Sequence, residues 1–95
     1  MKDIELNKIF HQPIRTRLMA YLINSDYADY TTLKKTLNLS DGHMSTHMKE
    51  LLSNEYVEMK KEFVDNKPKT TYSITQKGKK EFKDYIKQLQ KIISG

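Results

Sequence analysis

Ile14, Leu18, Tyr21 and Leu22 recur at the i, i+4, i+7, i+8 spacing that lines one face of an α-helix. Pro13 fits the first turn of that helix, where a missing N–H costs nothing, and the helix is expected to end near Asn24. Ahead of it, Ile4, Leu6, Ile9 and Phe10 stand among charged residues at loosely helical spacing, which predicts a short leading helix over residues 2–10. Residues 25–29 read as a polar turn, after which Tyr30, Leu33 and Leu37 mark a second short helix capped by Thr31 or Asp29. Asn38 can take the left-handed conformation of a tight turn, and Ser40 can cap a third helix running from Asp41 to about Asn54. That helix puts Met44, His47, Met48 and Leu51 on one side and small polar residues on the other. Beyond it the period changes to two: Val57, Met59 and Phe63 share one parity against Glu58, Lys60 and Glu62, and Thr70, Tyr72 and Ile74 repeat the pattern. With Asp65-Asn66-Lys67-Pro68 as the turn, residues 56–74 form a hairpin. Thr75 then caps one long helix to about residue 94, striped by Phe82, Tyr85, Ile86, Leu89, Ile92 and Ile93. The reading is a mainly α chain with a small β-hairpin (α+β), in one domain over residues 1–95.

A chain of 95 residues holds a modest core and favours a binding module over an elaborate enzyme. The net charge of +5 is uneven, since residues 1–54 carry 7 basic and 6 acidic side chains and residues 55–95 carry 10 and 6. A basic excess suits a polyanionic partner without choosing among DNA, RNA and an anionic membrane surface. The absence of cysteine excludes disulfides, thiolate metal sites and cysteine nucleophiles. No signal-peptide pattern stands at the start, and no apolar run approaches the roughly 20 residues that cross a bilayer, so no membrane partner and a cytoplasmic location are expected. His43 and His47 stand four apart, as in zinc-binding helices, but two ligands do not make a site. His47 reads as a packing residue and His43 as a surface donor, with no metal or cofactor. Without a Gly-rich phosphate loop or a nucleophile-base arrangement, no enzyme is expected.

The order helix, helix, turn, helix, hairpin is that of a winged helix-turn-helix, with the helix-turn-helix at about 31–54. Four stretches make the likeness specific: His11-Gln12-Pro13-Ile14-Arg15, Leu37-Asn38-Leu39-Ser40-Asp41-Gly42, residues 51–57, and Tyr72-Ser73-Ile74-Thr75-Gln76-Lys77-Gly78. Together they resemble the stand-alone winged helix-turn-helix transcriptional regulators of the MarR/ArsR type, over nearly the whole chain. The resemblance implies a helix opened by Ser40-Asp41-Gly42 that enters the DNA major groove, a hairpin wing on the backbone or minor groove, and terminal helices that pair two subunits. Lack of cysteine argues against the thiolate metal-sensing branch. The short chain leaves little room for a ligand domain, so a small-molecule or protein effector stays unidentified.

In the recognition helix His43, Ser45, Thr46 and Lys49 are the candidate groove-facing residues, with Lys49 on a phosphate and Asp41 and Gly42 at the end nearest the DNA. Gly42 permits close backbone approach to DNA or serves plain turn chemistry. Asp41 would repel a phosphate and reads instead as a helix stabiliser or a cytosine contact. Lys60, Lys61, Lys67 and Lys69 gather around the wing tip, either to meet phosphates or to keep a sheet edge from aggregating. Arg15 is a weaker phosphate candidate. For dimerisation the candidates are Ile4, Ile9 and Phe10 at one end and Phe82, Tyr85, Ile86, Leu89, Ile92 and Ile93 at the other, unless the terminal stripe covers only its own core. A two-fold homodimer would set two recognition helices about 34 Å apart on a pseudo-palindrome. The expected function is sequence-specific double-stranded DNA binding by a homodimeric transcriptional regulator, a repressor. The competing reading is a winged-helix module that binds protein and no specific DNA.

Overall fold

The computed structural model describes residues 5–95 and places α1 at Pro13–Ser25, β1 at Tyr27–Asp29, α2 at Tyr30–Thr36 and α3 at Asp41–Ser53. β2 follows at Val57–Val64, β3 at Lys67–Ile74 and α4 at Gln76–Ser94. The helix starts follow their caps. Gln12 accepts from the Arg15 N–H at 2.8 Å, Asp29 from the Thr32 N–H at 2.7 Å, Ser40 from the His43 N–H at 3.0 Å and Thr75 from the Gly78 N–H at 2.9 Å. Asn38 turns the chain between α2 and α3 at φ 53°, as its short polar side chain allows.

Two elements differ from expectation. Residues 27–29 form a strand rather than the expected polar turn and pair antiparallel with β3 at Ala28↔Tyr72, giving a three-stranded sheet in the order β1-β3-β2. The leading helix is absent over residues 5–10. Asn7 Oδ1 instead accepts from the Ile9 and Phe10 N–H groups at 2.9 and 3.0 Å and curls the chain into a turn. Ile4 and the rest of that predicted helix lie outside the described residues. The hairpin turn also shortens to Asp65 and Asn66, at φ 52° and 63°, the paired left-handed geometry that suits the twist of two antiparallel strands.

The core joins Leu18, Met19 and Leu22 of α1, Leu33 of α2, and Met44, Met48 and Leu51 of α3 to Tyr72 and Ile74 of the sheet. A second, aromatic part corrects the dimer assignment. Phe10 is fully buried, with its ring centroid 4.4 Å from Tyr56, 5.3 Å from Phe82 and 5.8 Å from Tyr85. Phe10, Phe82 and Tyr85 are therefore spent inside one chain and offer nothing to a second subunit. Ile9, Ile86 and Leu89 pack partly against the same core. Ile92 and Ile93, on the last turns of α4, stay 50% and 83% exposed.

Candidate nucleic-acid interface

α3 buries Met44, Met48 and Leu51 and leaves Asp41, Gly42, His43, Ser45, Thr46, Lys49 and Glu50 exposed. The uncovered side is thus hydroxyls, an imidazole, an ammonium, bare backbone and the two carboxylates of Asp41 and Glu50, a set that can donate to and accept from base edges. The fold does not demand a glycine at position 42, because a Cβ there would meet only Ser40 Oγ at an ordinary 3.7 Å.

The start of α3 is braced to α2. Tyr30 Oη donates to Asp41 Oδ1, and Lys34 Nζ lies 2.8 Å from the same carboxylate oxygen. These two contacts, Lys34 first, hold the Asp41 carboxyl below its usual range, while its proximity pushes the Tyr30 phenol up to about 12. Of the two roles open to Asp41, this geometry realises the stabilising one. Arg17 Nη2 donates to Leu37 O at 2.6 Å and pins the turn between the helices. The sequence gives no sign of Tyr30, Lys34 and Arg17 as parts of the site, because their partners lie 7 to 20 residues away on other elements.

Arg15 does not stand free for phosphate, contrary to expectation. Its Nε donates to Ile9 O at 2.6 Å and its Nη1 lies 3.0 Å from His47 Nδ1, so it clamps the leading segment to the inner flank of α3. His47 is half-buried and must accept there through an unprotonated Nδ1. Burial, then the charge of Arg15 and that of His43, hold its pKa below the ordinary value. Its packing role holds. The His43 ring, centred 6.5 Å away, is exposed and loosely completes the cap through a 3.5 Å contact to the Ser40 N–H. Among the described residues no group of three or more His, Cys, Asp or Glu could hold a metal ion.

The register of the hairpin divides the wing. Val57, Met59, Lys61 and Phe63 lie opposite Ile74, Tyr72, Thr70 and Pro68 on the face that continues the core side. Lys60, Lys67 and Lys69 fall on the reverse face with Glu58 and Glu62, and Lys60 lies 3.6 Å from Glu62. The four lysines therefore do not gather on one surface, and Glu58, Glu62 and Asp65 offset most of their charge. What the tip does present is apolar: Phe63 is 79% exposed, with Val64 beside it.

The fold recurs in known proteins. Residues 14–93 match the sequence profile of the winged helix DNA-binding domain family. An uncharacterised protein of Methanocaldococcus jannaschii is 38% identical over 82 residues, which cover 86% of this chain and 89% of that one. The structure of a transcriptional regulator homologue from Pyrococcus horikoshii OT3 superposes with a TM-score of 0.87 at 30% identity, covering 92% of this chain and 86% of the other. A MarR-family putative regulator from Porphyromonas gingivalis W83 shares the fold at a TM-score of 0.69 and 22% identity, covering 95% and 94%.

Proposed function

The chain belongs to the winged helix DNA-binding domain family, and from that premise we propose that it binds double-stranded DNA sequence-specifically as a homodimer and represses transcription in the cytoplasm. The observation that carries this reading is the uncovered polar face of α3, whose opposite side is fully occupied by the core. Ser45, Thr46 and His43 supply base contacts, Lys49 supplies a phosphate contact, and Gly42 lets the backbone come close. One domain holds both the DNA surface and the subunit contact.

A band-shift series across salt concentrations tests the DNA reading. Lys49→Ala is expected to weaken binding to every duplex and to lower the salt slope by about 0.9, the share of one phosphate. Thr46→Ala is expected to leave that slope alone and to relax preference at one base position, an effect of about fivefold or more. Retention that ignores salt, or no retention at all, would sink the assignment in favour of a protein-binding module.

The subunit contact rests on the distal half of α4. Two adjacent isoleucines exposed beyond the body suit an isologous contact between two-fold copies. Replacing both, Ile92→Lys with Ile93→Lys, is expected to yield a monomer by analytical ultracentrifugation with an unchanged far-ultraviolet circular dichroism spectrum. A wild-type chain that sediments as a monomer at micromolar concentration would remove the dimer from the proposal.

A further inference from the structure

The exposed aromatic ring at the wing tip has no use in the fold. Phe63 shares its strand face with buried Val57, yet stands 79% exposed because β2 has run out beyond the body. β2 is exposed from Glu58 to Val64, and where its partner strand is exposed too, at Glu62–Val64 opposite Lys67–Lys69, the ribbon projects by about 10 Å at strand rise. Directly across from Phe63 is Pro68, a second rigid apolar group, and the two-residue turn at Asp65 and Asn66 fixes the end of the ribbon.

We propose that Phe63, backed by Pro68, is a wedge that enters the minor groove, partly unstacks a base step and kinks the duplex. The inference rests on the DNA-binding reading above and adds to it a distinct contact and a distortion of the ligand. Three observations favour DNA over other occupants. The apolar area is one ring, one proline and Val64, far below the roughly 800 Å² per partner that a stable protein interface buries. Lys61 flanks the ring on its own face, and Lys67 and Lys69 on the reverse face, with Glu62 and Asp65 beside them, leave the end of the ribbon with a small net positive charge around an apolar point. The tip also stands clear of the body, since Glu62–Val64 and Lys67–Lys69 are all exposed beyond half-buried Thr70. A two-stranded ribbon, its strands about 4.8 Å apart before side chains are added, is too wide for a minor groove of about 6 Å. Only the side chains of the tip can enter unless the groove opens, and opening it is what an inserted Phe does.

The test uses the full-length protein and a pool of mixed-sequence 40-base-pair duplexes carrying a fluorescent donor and acceptor at their ends. The wild type is expected to raise energy transfer on binding, as a kink shortens the end-to-end distance. Phe63→Ala is expected to lose that rise and to bind about tenfold more weakly, with an unchanged salt slope because no phosphate contact is removed. Phe63→Leu, still a wedge, is expected to keep most of the rise, and distamycin, which fills the minor groove, to abolish it while duplex is still retained. Retention without a rise, or a rise that Phe63→Ala preserves, overturns the wedge and leaves DNA binding intact. A change in sedimentation of Phe63→Ala without DNA overturns it in favour of a contact between copies. Failure of the wild type to retain any duplex overturns both readings.

Discussion

Phe10→Ala is expected to lower the unfolding free energy by about 3–5 kcal/mol, the usual cost of emptying a fully buried aromatic site. Phe10 has no exposed surface and its ring meets three others, at 4.4 Å from Tyr56, 5.3 Å from Phe82 and 5.8 Å from Tyr85. Those partners cannot close over the gap independently. The Tyr56 hydroxyl accepts from Asn7 Nδ2 at 3.1 Å and donates to Glu81 at 3.0 Å, and the Tyr85 hydroxyl lies 2.9 Å from His11 Nδ1. A chain of this size has a total stability of about 5–15 kcal/mol, and at about 4–8 °C per kcal/mol the melting temperature should fall by roughly 12–40 °C. Thermal denaturation followed by circular dichroism at several protein concentrations decides the matter. A residue serving only a subunit contact would leave the unfolding of the isolated chain intact, and its loss would show as a change in concentration dependence alone.

That prediction turns on a residue whose place the sequence does not give. Ile4, Ile9 and Phe10 look like surplus apolar groups because the leading segment has helical spacing, and a surplus stripe suggests a partner. The turn that instead folds Phe10 inward depends on Asn7 Oδ1 capturing two backbone N–H groups, a local contact that competes with helix and leaves no periodic trace. The strand at Tyr27–Asp29 was hidden for a related reason. It is three residues long with one buried side chain, Ala28, and exists because β3 offers it a free edge, which is a long-range fact. The helices were legible because each carries its own cap and a buried face at three-and-four spacing, as in Ser40 followed by Met44, Met48 and Leu51. The exposed residues of α3 follow from that face by subtraction, so that part of the candidate site could be read. Composition near the wing tip was misleading, since counting lysines ignores that strand alternation sends Lys61 to one face and Lys60, Lys67 and Lys69 to the other. Arg15 follows the same logic. Its partners, Ile9 O and His47, come from segments that meet only in the folded chain.

The two interior glycines should respond to the same substitution in different ways. Gly78→Ala is expected to destabilise the protein by about 3 kcal/mol, at the upper end of overpacking costs, although alanine is the better helix former by about 1 kcal/mol. The added Cβ would sit 2.2 Å from Tyr56 O, 3.0 Å from Tyr56 C and 3.1 Å from Ile74 Cγ1. Two of these three are backbone atoms, and neither side can withdraw cheaply. Tyr56 O accepts from the Thr75 N–H at 3.1 Å, and Thr75 Oγ1 donates to Glu55 O at 2.7 Å, so the first turn of α4 is bolted to the connection leaving α3. Pushing α4 outward to admit the methyl breaks those bonds and also loosens Phe82 and Tyr85 around Phe10. Gly42→Ala has only Ser40 Oγ at 3.7 Å to meet and is expected to be neutral or stabilising by up to about 1 kcal/mol in the free protein. If Gly42 is there for close approach to DNA, that variant keeps its stability and loses affinity, a split that urea denaturation and band shifts measure separately. Hydrogen exchange should meanwhile show Gly78→Ala opening α4 before the rest. An alanine at 78 that melts no earlier than the wild type would mean that α4 does not sit this tightly on the start of β2.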